Sequence, residues 1–195
     1  MSIDLPGFAD PVLGAQSGFR AILDAMSRPG TLHEAGVDLT PPAPLAPATA
    51  AALLTLIDAE TILHVPNDCA DARDWIAFHC GAVFAADIGA ANFAVALSLP
   101  TLATLSDGSD DGPQDSATLI LQVEGFGHGQ TLTLSGPGLR VPGTLKVAGL
   151  PAGFAAAWAA NHAKFPRGID LILCAGTEIA ALPRSVRITS AMKEA

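Results

Sequence analysis

Basic residues are scarce in this sequence. Its 195 residues include 10 Lys and Arg against 19 Asp and Glu, which gives a formal net charge of −9 and a pI near 4.7. A surface of this sign repels the phosphate backbone of nucleic acids and the headgroups of anionic lipids. The composition therefore argues against nucleic acid as a direct partner.

Long hydrophobic runs are also missing. Half of the residues are hydrophobic and mean hydropathy is +0.41, yet Pro, Gly or charged residues interrupt every apolar stretch. None reaches the ~20 residues that a membrane span requires. The opening MSIDLPGFADP has no basic segment followed by an apolar one, so we expect no secretory signal and a soluble, cytoplasmic protein. Charged residues make up 15% of the chain, so we also expect an apolar surface patch for a protein partner.

Cysteine is rare and has no regular spacing. Cys69, Cys80 and Cys174 are an odd number without a C-x-x-C motif, and their apolar neighbours predict buried thiols instead of disulfides. The five histidines are scattered, and Cys69, His79 and Cys80 are the one group that could meet on a helix face. No fourth ligand accompanies them, so we expect a buried apolar helix face and no metal.

Helix and strand signals alternate along the chain. Asp10 and Pro11 fit the N-cap and first turn of a helix that ends at Arg28-Pro29-Gly30. The apolar spacing predicts further helices near 48–58, after 67–68 and over 152–164, and strands over 31–34, 61–65, 93–99, 117–123, 130–134 and 169–174. We expect 117–123 and 130–134 to form a hairpin around GFGHG.

The unbroken apolar strand 169–174 indicates the middle of a sheet that is covered on both faces. We therefore predict a single α/β domain over 1–195, built as a three-layer sandwich with a mixed, central β-sheet flanked by helices. TPPAPLAP at 40–47 should be a Pro-rich surface crossing. The acidic, Gly-rich segment 105–115 should be an exposed, mobile loop.

Few motifs suggest catalysis. SGPGLRVPGTLK, at 135–146, has the glycines of a phosphate cradle, but Thr144 follows the second glycine where a P-loop needs Lys, so a Gly/Pro turn is favoured. Ser135-Gly136 lacks the first Gly of a nucleophile elbow. A pyridoxal phosphate site needs a Lys, and Lys146, Lys164 and Lys193 suit surface or terminal positions better. We predict neither a catalytic residue nor a cofactor.

Four arginines are the candidate binding residues. Arg167, Arg184 and Arg187 lie in FPRGIDLILCAGTEIAALPRSVRI, and Arg140 lies in the Gly/Pro-rich segment. Their guanidinium groups are suited to bidentate contacts with an anion, to acidic chains across an interface, or to solvent. The residues alone leave these alternatives open.

Ordered motifs connect the chain to a known family. FADPVLGAQSGFRAILDAMSRPG, LLTLIDAET, LSGPGL, FPRGIDLIL and ALPRSVRI occur in the order found in the PhnH subunits of the bacterial carbon–phosphorus lyase core complex, which this sequence resembles over nearly its full length. The resemblance implies a topology like that of pyridoxal-phosphate-dependent transferases without the cofactor. It also implies association with the G, I and J subunits. We expect the apolar surface of the chain to join a homodimer or this larger complex.

The resemblance also implies a function. The complex is credited with replacing the adenine of ATP by a phosphonate, which gives ribose 1-phosphonate 5-triphosphate, and we expect this chain to support that step as an assembly subunit. The competing hypothesis is a self-sufficient enzyme or anion-binding protein that uses the GPG loop, residues 136–138, with Arg140 and Arg184.

Overall fold

A computed structural model describes residues 4–67 and 69–190. Four α-helices lie in this part of the chain: α1 (Pro11–Ser27), α2 (Pro47–Leu56), α3 (Ala70–Cys80) and α4 (Phe154–His162). The strands are β1 (His33–Glu34), β2 (Ile62–His64), β3 (Val83–Phe84), β4 (Phe93–Ala96), β5 (Thr118–Gln122), β6 (Gly125–Ser135), β7 (Gly143–Ala148), β8 (Asp170–Ala175), β9 (Glu178–Leu182) and β10 (Arg187–Ser190). The predicted alternation of helices and strands is confirmed.

The main sheet has seven strands in the order β1-β9-β8-β5-β4-β2-β3. Strand β9 runs antiparallel to both of its neighbours, and the other six strands share one direction. The predicted mixed sheet is therefore confirmed, and β5 and β8 occupy its interior, as the apolar run at 169–174 indicates.

The second sheet has three antiparallel strands in the order β10-β6-β7. The predicted hairpin of 117–123 with 130–134 is wrong. These segments correspond to β5 and β6, and β5 pairs with β4 and β8 in the main sheet while β6 pairs with β7 and β10. GFGHG lies inside β6, where the register with β7 shifts between Phe126 and Gln130. The two segments are consecutive strands of different sheets, which local alternation of Thr and Leu does not distinguish from a hairpin.

Two hydrophobic clusters cover the two faces of the main sheet. Helices α1, α2 and α3 pack on one face, where Ile172 and Cys174 of β8 belong to their cluster. Helix α4 and the three-stranded sheet pack on the other, where Leu171 and Leu173 belong to a second cluster. Residues of β8 alternate between the two clusters because successive side chains of a strand point to opposite faces of the sheet. The structure is layered as predicted, except that a small sheet replaces part of one helical layer.

Helix α1 begins and ends where the sequence predicts. The Oδ1 atom of Asp10 accepts hydrogen bonds from the backbone N–H groups of Val12 and Leu13, both at 3.0 Å. The buried face of the helix is formed by small residues and Ile22, and a Cβ at Gly18 would lie 2.3 Å from Oγ1 of Thr55. Small side chains thus let α1 approach α2 closely.

The Pro-rich crossing is held by one side chain of the main sheet. Gln122, the last residue of β5, accepts hydrogen bonds from the backbone N–H of Ala46 at 2.7 Å and from the Thr49 hydroxyl at 2.8 Å. Its amide donates to the carbonyl of Pro44 at 2.8 Å. These contacts fix the segment that leads into α2, where Pro47 is the first helical residue.

Two ion pairs anchor the acidic segment 105–115. Lys164 lies 2.9 Å from a carboxylate oxygen of Asp107, and Arg167 lies 3.3 Å from one of Asp110. Lys164 donates a hydrogen bond that holds the pKa of the Asp107 carboxyl below its ordinary 3.8, and the charges of Lys164 and Arg167 act in the same direction. The segment is thereby connected to the residues that follow α4.

The Asp107 contact predicts a specific pH dependence. A carboxyl with a lowered pKa in the folded state stabilises the fold above its unfolded pKa, and that stabilisation is lost as the pH falls through the folded value. The native chain should therefore be more stable than Lys164→Met by less than about 1 kcal/mol at pH 6. The difference should shrink as the pH falls below 3.8 and disappear once the pH is below the lowered folded pKa.

Urea unfolding at stepped pH values measures this difference. The matched control is Lys146→Met, which removes the same charge from an exposed position on β7. A Lys164→Met difference that persists unchanged at pH values far below 3.8 would contradict the assigned contact.

Across residues 4–67 and 69–190, no helix combines the length and apolar character needed to cross a membrane.

Candidate functional site

The structure separates the four candidate arginines. Arg140 is exposed in the connection between β6 and β7, and Arg167 is paired with Asp110. Arg184 is bound inside the fold, whereas Arg187 lines a surface groove. The four side chains therefore do not form one pocket.

Arg184 is fully engaged in the structure. Its Nε lies 3.2 Å from each carboxylate oxygen of Asp170, its Nη2 also donates to that carboxylate, and its Nη1 donates to the carbonyl of Pro113 at 2.6 Å. The backbone N–H of Arg184 donates to the same Asp170 at 2.8 Å. The side chain is 15% exposed, so this arginine joins β8 to the acidic segment and is not free to bind a ligand.

Arg187 occupies a different environment. It is exposed at the start of β10, and its Nε donates a hydrogen bond at 3.1 Å to Nε2 of His162 at the end of α4. Nδ1 of His162 donates at 2.9 Å to the carbonyl of Arg184. A carbonyl can only accept and a guanidinium can only donate, so these partners assign a neutral imidazole with its proton on Nδ1.

A groove of about 520 Å³ surrounds this pair. Its lining consists of residues from the β6–β7 turn, the end of α4 and the start of β10: Ser135, Gly136, Pro137, His162, Phe165, Ser185 and Arg187. Of the described residues in that lining, Arg187 is the charged one. The Gly/Pro-rich loop and the C-terminal arginines do meet, but through Arg187 instead of Arg140 or Arg184.

Local sequence explains why the loop lies there. Gly136 has a φ of +136°, and a Cβ on it would lie 3.0 Å from the Ser185 carbonyl. Gly138 has a φ of +81°, and its Cβ would lie 2.3 Å from the Ser27 carbonyl. Glycine at these positions lets the turn pack against the end of α1 and the segment before β10.

His162 is the groove residue that sequence reasoning missed. It ends the series Phe154, Trp158 and His162, whose spacing of four predicts one helix face. Phe154 and Trp158 are fully buried, while His162 is half-buried at the helix end and turns toward Arg187. The sequence signal for His162 as a site residue was that it is the one polar member, at the C-terminal end, of this series of apolar residues.

The residues considered for a metal are used elsewhere. Nε2 of His79 lies 3.0 Å from the carbonyl of Leu5, and Trp75 donates to the same carbonyl at 2.9 Å. Burial and the charge of Asp58 raise the pKa of Cys80 to about 11. A thiol held in the protonated form is a weak metal ligand. Within the part of the chain that the structure describes, no three His, Cys, Asp or Glu residues are grouped as metal ligands.

The other thiol and lysine positions are structural or exposed. Burial raises the pKa of Cys174 to about 12, which suits a core thiol. Lys146 is exposed on β7 and Lys164 pairs with Asp107. Lys193, also considered for pyridoxal phosphate, lies outside the described residues.

The fold and the site define the class of this protein. It is a layered α/β protein in which Arg184 and Arg167 hold the acidic segment 105–115, while Arg187 lies in a surface groove. A family model described as bacterial phosphonate metabolism protein (PhnH) matches residues 6–189. The chain belongs to the PhnH family.

Two relatives agree with this assignment. A Rhizobium meliloti (strain 1021) protein described as alpha-D-ribose 1-methylphosphonate 5-triphosphate synthase subunit PhnH is 38% identical over 186 residues, which cover 93% of each chain. A Stutzerimonas stutzeri protein provisionally named C-P lyase subunit protein HtxG is 34% identical over 178 residues, covering 89% of this chain and 85% of that relative. The family resemblance stated from the sequence motifs is thus confirmed.

Proposed function

We propose that this chain is an assembly subunit of a carbon–phosphorus lyase core complex in the catabolism of organic phosphonates. In this role it supports formation of ribose 1-phosphonate 5-triphosphate from ATP and a phosphonate, while other subunits carry the catalytic groups. The names of both relatives, each a subunit, support the proposal. We infer that the partners are the G, I and J subunits.

The observation that carries the proposal is the outer face of α1. Val12, Phe19 and Leu23 are 75%, 53% and 54% exposed, although the helix buries Gly18 and alanines against the core. Several of the apolar residues whose spacing predicts this helix therefore lie on its solvent-exposed side. Such a row of large apolar side chains on one helix is typical of a protein–protein contact. We propose that another core subunit covers this face.

Co-purification tests the assembly role. A tagged chain produced with the candidate G, I and J subunits should retain them, and Phe19→Asp should reduce the retained amount about tenfold or more, because burying one large apolar side chain contributes ~1.5–3 kcal/mol. Val141→Asp is the matched control, since Val141 is 72% exposed in the β6–β7 connection.

Two results would contradict the proposal. One is equal retention by Phe19→Asp and Val141→Asp. The other is conversion of ATP and methylphosphonate by the isolated chain, because an assembly subunit without its catalytic partners should show no turnover.

We also propose a homodimer in the cytoplasm. The exposed apolar residues support self-association, and the thiols of Cys80 and Cys174, which are not joined in disulfides, fit a reducing compartment. Sedimentation equilibrium of the isolated chain should give twice the 19.8 kDa chain mass. The same measurement on Phe19→Asp determines whether the dimer and the larger complex use one face.

Three structural features complete the proposal. We propose that 1–195 is one domain, because both clusters pack on the same seven-stranded sheet. We propose that the tip of 105–115 is mobile at Asp111, which is exposed and lies outside the two ion pairs of Asp107 and Asp110. The likeness to the topology of pyridoxal-phosphate-dependent transferases remains an implication of the family, to be checked by superposition.

A further inference from the structure

We propose that the groove around Arg187 binds a phosphorus oxyanion, either a free phosphonate or the phosphate group of a nucleotide. This binding activity belongs to the lone chain and goes beyond the assembly role. Its defining residues are Arg187, Ser135 and Ser185.

The charge of the groove favours an anion. The whole chain carries a formal charge of −9, yet among the residues that the structure describes no acidic side chain lines this groove, whereas Arg187 does. The nearby Arg184 is neutralised by Asp170, so it does not compete for the ligand. A single uncompensated guanidinium in a concave site attracts small anions to that position.

The donors of the groove suit a tetrahedral anion. The bond to His162 uses Nε of Arg187 and leaves its two terminal nitrogens unengaged among the residues that the structure describes. Those nitrogens present parallel N–H donors, the geometry that pairs with two oxygens of a phosphate or phosphonate. The groove thus offers a preoriented guanidinium to the ligand.

Two hydroxyls add to this donor set. Ser135 and Arg187 are direct partners across β6 and β10, and Ser185 lies two residues before Arg187. In the described part of the chain neither serine hydroxyl makes a hydrogen bond, so both are available to the remaining oxygens of a tetrahedral ligand. Glycines at 136 and 138 leave Pro137 as the side chain between them in the adjacent turn. A planar carboxylate has two oxygens, so it would leave some of these hydrogen-bond donors without an acceptor.

Phe165 and Pro137 form the apolar part of the lining. Phe165 is 58% exposed, which is unusual for a large aromatic side chain. Its ring offers a surface for the organic portion of the ligand, which is a methyl group in a small phosphonate and a base or sugar in a nucleotide.

Calorimetry of the full chain tests the proposal with methylphosphonate and with ATP as separate probes. Saturable heat with methylphosphonate assigns the groove to free phosphonate, and saturable heat with ATP alone assigns it to a nucleotide phosphate. Arg187→Gln should weaken that binding about tenfold or more, the effect of losing one or two charge-assisted hydrogen bonds. Because Arg187 is exposed, the variant should unfold at the same urea concentration as the native chain.

Arg140→Gln is the matched control, because it removes the same charge from an exposed loop position outside the groove lining. It should bind as the native chain does. Silence with both probes overturns the proposal, as does binding that Arg187→Gln leaves intact or that Arg140→Gln weakens equally. None of these outcomes affects co-purification, so the assembly role is tested separately.

Discussion

Leu171→Asp should leave the chain unfolded. Leu171 is fully buried on β8 and lies in register with Leu119 of β5 and Leu182 of β9. A carboxylate at this position would lose its hydration among apolar neighbours, at a cost of at least several kcal/mol. Domains of this size are stable by about 5–15 kcal/mol, so one such substitution removes most or all of that margin.

Far-UV circular dichroism and urea unfolding measure this effect. Val141→Asp introduces the same carboxylate at an exposed site and should unfold like the native chain. Leu171→Val keeps the site apolar and should cost about 1 kcal/mol. An unfolding midpoint for Leu171→Asp equal to that of Val141→Asp would show that the side chain does not lie in the core. A single transition in the native chain would also support one domain.

Arg184→Met should lower the free energy of unfolding by about 2–3 kcal/mol. The substitution removes the ion pair with Asp170, whose side chain is 23% exposed, and the bond to the Pro113 carbonyl. Asp170 would keep the backbone N–H at residue 184 but lose its charged partner. Partial exposure places the expected loss below that of a fully buried pair.

A double-mutant cycle with Asp170→Asn isolates the pair. The two single variants should each be destabilised, and the double variant should lose less than their sum, because both singles remove the same interaction. Arg140→Met is the control for loss of an exposed arginine and should change stability by less than about 0.5 kcal/mol. Strict additivity in the cycle would show that Arg184 and Asp170 do not interact in solution.

Sequence reasoning predicted the elements whose signals are local. The cap at Asp10, the proline at the start of α1 and the apolar run of β8 each act within a few residues, and the structure has helix and strand there. The hairpin of 117–123 with 130–134 failed because pairing depends on partners far along the chain. Strand β5 pairs with β8, about fifty residues later, and no local pattern encodes that choice.

The candidate site could also be predicted only in part, because local sequence does not show which distant residues will meet. Arginines near Gly/Pro turns were visible as candidates, but their roles depend on which carboxylates the fold brings near. Asp170 lies fourteen residues before Arg184 and takes up its guanidinium, whereas Arg187, three residues later, meets His162 instead. Two arginines of one motif thus differ in function because of contacts that sequence spacing does not show.

The alternation along β8 also bears on how such a protein can change over time. Ile172 and Cys174 face the three helices, while Leu171 and Leu173 face α4 and the small sheet. Substitutions that accompany a new helical layer therefore fall on one set of alternate positions, and those that accompany a new outer sheet fall on the other. A substitution at one set of alternate positions therefore changes the packing of one outer layer and leaves in place the β8 side chains that contact the other layer.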